Sequence, residues 1–369
     1  MIVALIVSFL AVLFCLFDRK HERRRFGGLE LGFLLLTIYL CVRYDYGNDY
    51  LGYLDDFYKY NSYNIKLTDF EQLSELQSRG DYGWVIINRL CEPIGFFGMI
   101  MLLTILFMGQ IYYYIKKYVD PKWYWFSVFL FAFQPLLMVV GVAGMIRQWT
   151  VVFIFLCCID LIRRRKLLLY MAIILVATTI HKTAYILFPV YFITYLNFNK
   201  NSAFVTYMIM VFAAFVIFPF VGYELFMPLF ENEQLSTYGE MVGRGGASGF
   251  GISSIITIGM PLLCIAQVRR QSESDKLLFA LLSLSILLVP LISINALIGR
   301  MVVYFSVFSI VVYPLALDTL KQKGWSSYCN LIIFMIIVYY SYIFISHFTD
   351  KVWISHAYYY HTIFSYPWQ

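Results

Sequence analysis

The sequence predicts an all-α fold: a polytopic membrane helical bundle of about twelve transmembrane helices, each needing roughly 20 mostly apolar residues, with extracytoplasmic loops that carry short helices. Three observations predict it. The 369 residues are 61% hydrophobic and only 14% charged, with a mean hydropathy of +0.72, which is more apolar surface than a water-soluble chain of this length can bury. The apolar residues come in long runs separated by short polar connections. The Lys and Arg residues favour alternate connections, the positive-inside pattern.

In chain order the runs are 1–17, 28–42, 94–115, 123–140, 145–162, 167–181, 183–196, 203–221, 252–268, 277–294, 297–317 and 328–346. The first lacks a basic region before it and a small-residue cleavage site after it, so it reads as a retained helix and not as a signal peptide. The second, sixth and seventh are short, and 167–196 is compatible with one broken helix. The connection DRKHERRR is strongly basic and is expected on the cytoplasmic side, which places the N-terminus outside. Alternation then puts KKYVDPK, RRRK, NFNKNS, RRQSESDK and DTLKQKGWSS inside, so that 18 of the 28 Lys and Arg residues are cytoplasmic. Fourteen acidic residues fall outside and seven inside, which agrees with the same orientation.

The larger connections lie on the outer side. They are about 43–83, polar and Tyr-rich, with a candidate amphipathic helix at Leu67–Leu76; 222–251, ending in GRGGASGFG; and the tail 346–369, rich in Tyr, His and Trp and able to fold back over the outer mouth. No soluble domain or internal repeat is visible, so residues 1–369 read as a single membrane-embedded domain. Aromatic residues make up 20% of the chain, with 31 Tyr, a residue that suits membrane interfaces and also stacks on sugar rings. The net charge of +6 is scattered over short loops, which argues against nucleic-acid binding. The seven Cys form no Cys-x-x-Cys pair, and the tail His347, Asp350, His356 and His361 fit no standard metal motif.

The chemistry is expected at the outer ends of the helices, where charge beside hydrocarbon is costly and usually functional. Arg43 opens RYDYGNDYLGY, in which Asp45 and Asp49 are four residues apart and four tyrosines (Tyr44, Tyr46, Tyr50 and Tyr53) alternate with polar groups. Carboxylates accept hydrogen bonds from sugar hydroxyls, and one can serve as a general base; the competing reading is an aromatic belt with solvated charges. Arg147 and Gln148 follow GVAGMI at the start of a helix, where free N–H groups, the dipole and a planar guanidinium favour a phosphate. A snorkelling arginine is the alternative. His181 and Lys182 sit between apolar runs, as a base and a cation or as hydrogen-bonded core. Arg300 and Tyr304 share a helical face, and Arg244 lies in the Gly-rich stretch.

These pieces resemble the EpsG-like branch of Wzy-type O-antigen and exopolysaccharide polymerases. RYDYGNDYLGY, GDYGWVIINRL, GMIRQWTVVFIFL, TIHKTAYILFPVYF and GRMVVYFSVF occur in the order that family shows, through almost the whole chain. The resemblance implies a metal-independent membrane glycosyltransferase without a cofactor. It transfers a growing glycan from undecaprenyl pyrophosphate to the non-reducing end of a new lipid-linked repeat unit, at the outer face of the bacterial inner membrane. Its expected partners are the lipid-linked donor and acceptor oligosaccharides, membrane lipid and a chain-length regulator. Arg43, Arg147, Arg300, Arg244 and Lys182 would hold the pyrophosphate, and Asp45, Asp49 or His181 would serve as the base. Tyr44, Tyr46, Tyr50, Tyr53, Gln148 and Tyr304 would hold the sugars. An O-antigen ligase or another glycan-modifying transferase shares the outer Arg-rich site. A lipid-linked oligosaccharide flippase would call for charges deep within helices and a pseudo-repeat.

Overall fold

The computed structural model describes residues 1–18, 27–62, 72, 81–195, 205–213, 252–268, 271–292, 296–350 and 358–365. They are almost entirely helical. In order they form α1 (Ile2–Leu16), α2 (Gly28–Cys41), β1 (Arg43–Tyr44), α3 (Tyr50–Ser62), α4 (Tyr82–Leu90), α5 (Gly95–Tyr118) and α6 (Tyr124–Phe133). A π-helical turn, Met138–Gly144, precedes α7 (Ile146–Arg163) and α8 (Leu167–Ile180). Then come α9 (205–213), α10 (Ile252–Gln267), α11 (Glu273–Ile292), α12 (Ala296–Ser306), α13 (Ser309–Gln322), α14 (Ser326–Thr349) and β2 (His361–Thr362).

The all-helical expectation holds, and the described residues do not confirm a count of about twelve spans. Among the described residues two helical stretches, Glu92–Tyr118 and Ser326–Thr349, are long and apolar enough to cross a membrane. The number rises to four if two bent pairs each count as one span. Local breaks explain part of the difference. The run 123–140 bends by 68° between Phe133 and Met138, where Pro135 cannot continue a helical ladder. The run 297–317 bends by 52° between Ser306 and Ser309. The expected helix 183–196 is instead two 3₁₀ segments, Lys182–Leu187 and Pro189–Tyr195. Apart from Gln72, the expected surface helix Leu67–Leu76 and the connection 222–251 lie outside the described residues.

Contacts gather the chain into two compact units, Met1–Cys158 with Met171–Tyr185 and Phe334–Gln369, and Ile159–Tyr170 with Ile186–Ile333. In the first, α1 buries its small face, Ala4, Ser8, Ala11 and Cys15, and leaves Ile2, Ile6, Phe9 and Leu16 exposed. That is the reverse of a soluble helix and suits a lipid-facing one, where small residues let backbones approach. α2 packs on this face. Its first turn is capped by Asp18, whose Oδ1 and Oδ2 accept from the Gly28 and Leu29 N–H groups at 2.6 and 2.7 Å. Glu30, a carboxylate in an apolar helix, accepts from the Tyr112 hydroxyl at 2.8 Å and pairs with Lys116 on α5.

The C-terminal segment folds back as anticipated from its composition. β2 pairs antiparallel with β1, Arg43 opposite Thr362 and Tyr44 opposite His361, and Ile363 N–H donates to Val42 O at 2.9 Å. Tyr360 stacks on Tyr39 at 4.5 Å and donates its hydroxyl to the Tyr39 carbonyl. In the second unit α10, α11, α12 and α13 pack together, and Lys323 Nζ donates to Gln267 Oε1 at 2.7 Å.

Candidate functional site

The site grows from one close approach. α4 begins beside the C-terminal end of α8: a Cβ on Gly83 would stand 2.3 Å from Thr179 Oγ1 and 2.9 Å from the Thr179 carbonyl carbon. Only a residue without a side chain fits there. Asp81 stands two residues before this contact and His181 two residues after it, so the packing that demands Gly83 also brings these groups together. Asp81 is the N-cap of α4, yet its carboxylate makes no capping bond. It turns to α7, where Arg147 Nη1 donates to Asp81 Oδ2 at 3.2 Å. His181 Nδ1 lies 3.9 Å from the same oxygen.

Exposure distinguishes the three. The Asp81 side chain is 3% exposed, Arg147 12% and His181 21%. The carboxylate is a buried pivot; Arg147, which it holds, and His181, which lies near it, keep surface that a ligand can touch. Tyr53 on α3 places its ring 5.6 Å from the Arg147 guanidinium, a cation–π contact, and its other side meets Trp84 on α4 at 5.5 Å. Asp81 Oδ1 and Arg147 Nε are fully buried without a hydrogen-bond partner among the described residues, so the open surface of the cluster belongs to the other atoms of Arg147 and to His181.

Arg147 is the second residue of α7, directly after the π-helical turn. There Val140 N–H bonds Pro135 O at 2.7 Å and Val142 N–H bonds Leu137 O at 3.0 Å, both five residues back. Such turns occur mostly as single insertions in α-helices and often at functional sites. The glycines expected to permit a re-entrant turn are part of it. Gly47, at φ 105°, presses on its last residue: a Cβ there would lie 2.7 Å from Gly144 Cα. That loop carries Asp45 and Asp49, both half-buried, on either side of Gly47.

Arg43 is placed unlike a ligand-facing arginine. It is 1% exposed, and its Nη1 donates to Leu40 O and to Thr104 Oγ1 (2.9 Å), while Nη2 donates to Val142 O at 3.2 Å. The tyrosines beside it make contacts within the protein. Tyr46, Tyr50 and Tyr53 are buried; Tyr50 donates to Arg43 O at 2.9 Å, and Tyr46 packs edge-on against Tyr39 and Tyr360. Tyr44 meets Tyr50 edge-on. Gln148 is buried and Lys182 exposed. Arg300 and buried Tyr304 belong to the second unit, and Arg244 lies outside the described residues. Among the described residues no three His, Cys, Asp or Glu side chains gather as a metal-binding group.

The order of these pieces along the chain matches a known pattern. A family model described as the EpsG family matches residues 31–366. The chain belongs to the EpsG family. No curated protein and no solved structure matches it. The match takes in Asp81, Arg147 and His181, so the whole carboxylate-centred cluster lies in the EpsG-family region. Reading the sequence for outer arginines found Arg147 and His181 but passed over Asp81, although Asp81 begins the DYGW step of a motif that the resemblance rests on. EpsG-family membership, with its apolar helices, makes this a membrane protein of polysaccharide biosynthesis.

Proposed function

We propose that this EpsG-family protein is a polysaccharide polymerase of the bacterial inner membrane. It transfers a growing glycan from undecaprenyl pyrophosphate to the non-reducing end of a lipid-linked repeat unit at the outer face. An acceptor hydroxyl attacks the anomeric carbon of the donor. The bond from that carbon to the pyrophosphate oxygen breaks, the hydroxyl proton passes to a base, and undecaprenyl pyrophosphate leaves with the bonding electron pair.

The observation that carries this reading is the convergence of Arg147 and His181 on Asp81. A leaving pyrophosphate gains negative charge as the bond breaks, and a guanidinium fixed in advance stabilises that charge more in the transition state than in the ground state. Asp81 and Tyr53 hold the guanidinium, and the 12% of the Arg147 side chain that stays exposed is what a phosphate oxygen would meet. For the base, His181 is favoured over Asp45 and Asp49 because it adjoins Arg147 through Asp81. As the base, His181 would take the hydroxyl proton on a ring nitrogen, and the Asp81 carboxylate, 3.9 Å from Nδ1, would favour the charged ring that results. Lys182, exposed next to it, adds positive charge on the donor side. Arg300, Arg244 and Tyr304 retain supporting roles toward the lipid-linked saccharides.

Deletion of the gene in its host tests the reading, with the surface glycan run on a gel and plasmid-borne wild type or Arg147→Ala supplied for rescue. A ladder that collapses to single repeat units and returns with wild type alone is the expected result. An unchanged ladder removes the polymerase, and polymer retained on the carrier lipid points to a ligase. Complete loss of lipid-linked units from the outer face points to a flippase.

A further inference from the structure

Arg43 is a charge almost wholly enclosed, at 1% exposure, and its three acceptors come from three separate places. They are Leu40 O at the end of α2, Thr104 Oγ1 in the middle of α5, and Val142 O inside the π-helical turn. The Tyr50 ring lies 5.9 Å from its guanidinium carbon. Thr104 is itself buried. A planar fork with five donors can serve acceptors in divergent directions at once, which a lysine ammonium on a flexible stem does poorly. Four residues after Arg43, Gly47 touches Gly144 at the end of the same turn. The stretch 43–47 therefore grips the π-helical turn at two points, and Arg147 stands three residues beyond Gly144.

We propose that Arg43 is a positioning residue that clamps the π-helical turn to α2 and α5, so fixing where α7 starts and where Arg147 points, and that it does not itself bind the pyrophosphate. The clamp stands on the contacts alone; its catalytic consequence rests on the polymerase reading. Without the Nη2 bond to Val142 O, the turn keeps its covalent path but loses its tie to α5. Arg147 then samples more directions, and fewer encounters with donor are productive.

The test uses the full-length protein purified in lipid nanodiscs, as wild type, Arg43→Lys, Thr104→Val and the double variant. The first readout, hydrogen–deuterium exchange, needs no substrate. Loss of one buried charged hydrogen bond should raise amide exchange over 138–147 by about 10-fold or more in Arg43→Lys, less in Thr104→Val, and leave Ser326–Thr349 unchanged. The double variant should exchange no faster than Arg43→Lys, because both changes remove one clamp. The second readout is turnover against concentration of lipid-pyrophosphate-linked repeat. Here kcat should fall about 10-fold and KM move less than about 2-fold, the pattern of lost transition-state positioning. Unchanged exchange over 138–147 overturns the clamp, as does a large rise in KM with kcat kept, which would make Arg43 a pyrophosphate ligand. If Arg43→Lys does not fold, Thr104→Val, nearly isosteric, decides by the same readouts. Absence of polymer from the wild type would sink the polymerase reading, while the exchange readout would still judge the clamp.

Discussion

Arg147 Nη1 and Asp81 Oδ2 stand 3.2 Å apart although the two residues are 66 positions apart in the chain, and the carboxylate that makes this pair is nearly inaccessible. Removing one member of a buried pair leaves the other charge uncompensated, at a cost of about 3–5 kcal/mol. Asp81→Asn keeps shape and removes charge. It should lower polymer formation about 100-fold, because Arg147 and His181 lose their common anchor, and it should lower the thermal midpoint of the purified protein. Polymer yield normalised to folded protein checks it.

Gly83 is expected to tolerate no side chain. A Cβ there meets Thr179 backbone atoms at 2.9 and 3.0 Å as well as its hydroxyl. Gly83→Ala should therefore destabilise by about 1–3 kcal/mol, and shortening the neighbour with Thr179→Ala should not restore it, since the backbone contacts stay. Full rescue by Thr179→Ala would place the obstruction in the side chain instead. Thermal unfolding of the single and double variants measures this.

Tyr53 meets Arg147 through both its ring and its hydroxyl, which hydrogen-bonds the guanidinium. Tyr53→Phe keeps the cation–π contact but loses that bond, worth about 0.5–1.5 kcal/mol, and should fall about 2- to 10-fold. Tyr53→Leu also loses the contact, worth about 0.5–2 kcal/mol, and should fall about 2- to 30-fold below Tyr53→Phe. Initial rates of glycan extension distinguish the two variants.

How much of this was legible in the sequence depends on the range of the interaction. Helices driven by long apolar runs are readable to within three residues: 94–115 is Gly95–Tyr118, 145–162 is Ile146–Arg163 and 328–346 is Ser326–Thr349. The change to 3₁₀ turns after His181 was not, because Lys182–Tyr195 is as apolar and aromatic as its neighbours and Pro189 alone marks the interruption. The pairing of Arg43–Tyr44 with His361–Thr362 was invisible, since two residues carry no periodicity and the partners lie more than 300 residues apart. Arg43 and Arg147 looked alike as outer-end arginines. Only the fold separates them: Arg43 is 1% exposed with both terminal nitrogens bonded to protein, and Arg147 is held at a partly open site. Asp81 escaped notice because it falls at the end of the polar connection 43–83, where no helix is expected, and only the fold brings it to Arg147.

The C-terminal pairing gives a further expected outcome. Ile363→Pro removes the N–H that reaches Val42 O and should cost about 1 kcal/mol. The segment 358–365 should then be cut faster by protease in the intact protein, with the helices of the first unit protected as before. Equal cleavage rates would mean that the bond contributes nothing to docking.

The central claim is that Arg147, held by Asp81, stabilises the departing pyrophosphate of a lipid-linked glycan. Its most direct measurement is the rate at which the purified protein, reconstituted in lipid, lengthens a lipid-pyrophosphate-linked repeat, compared between wild type and Arg147→Ala of equal folded content. The expected result is a ladder of extended glycan from wild type and a rate about 100- to 1,000-fold lower from Arg147→Ala. A variant that extends the glycan as fast as wild type would contradict the claim.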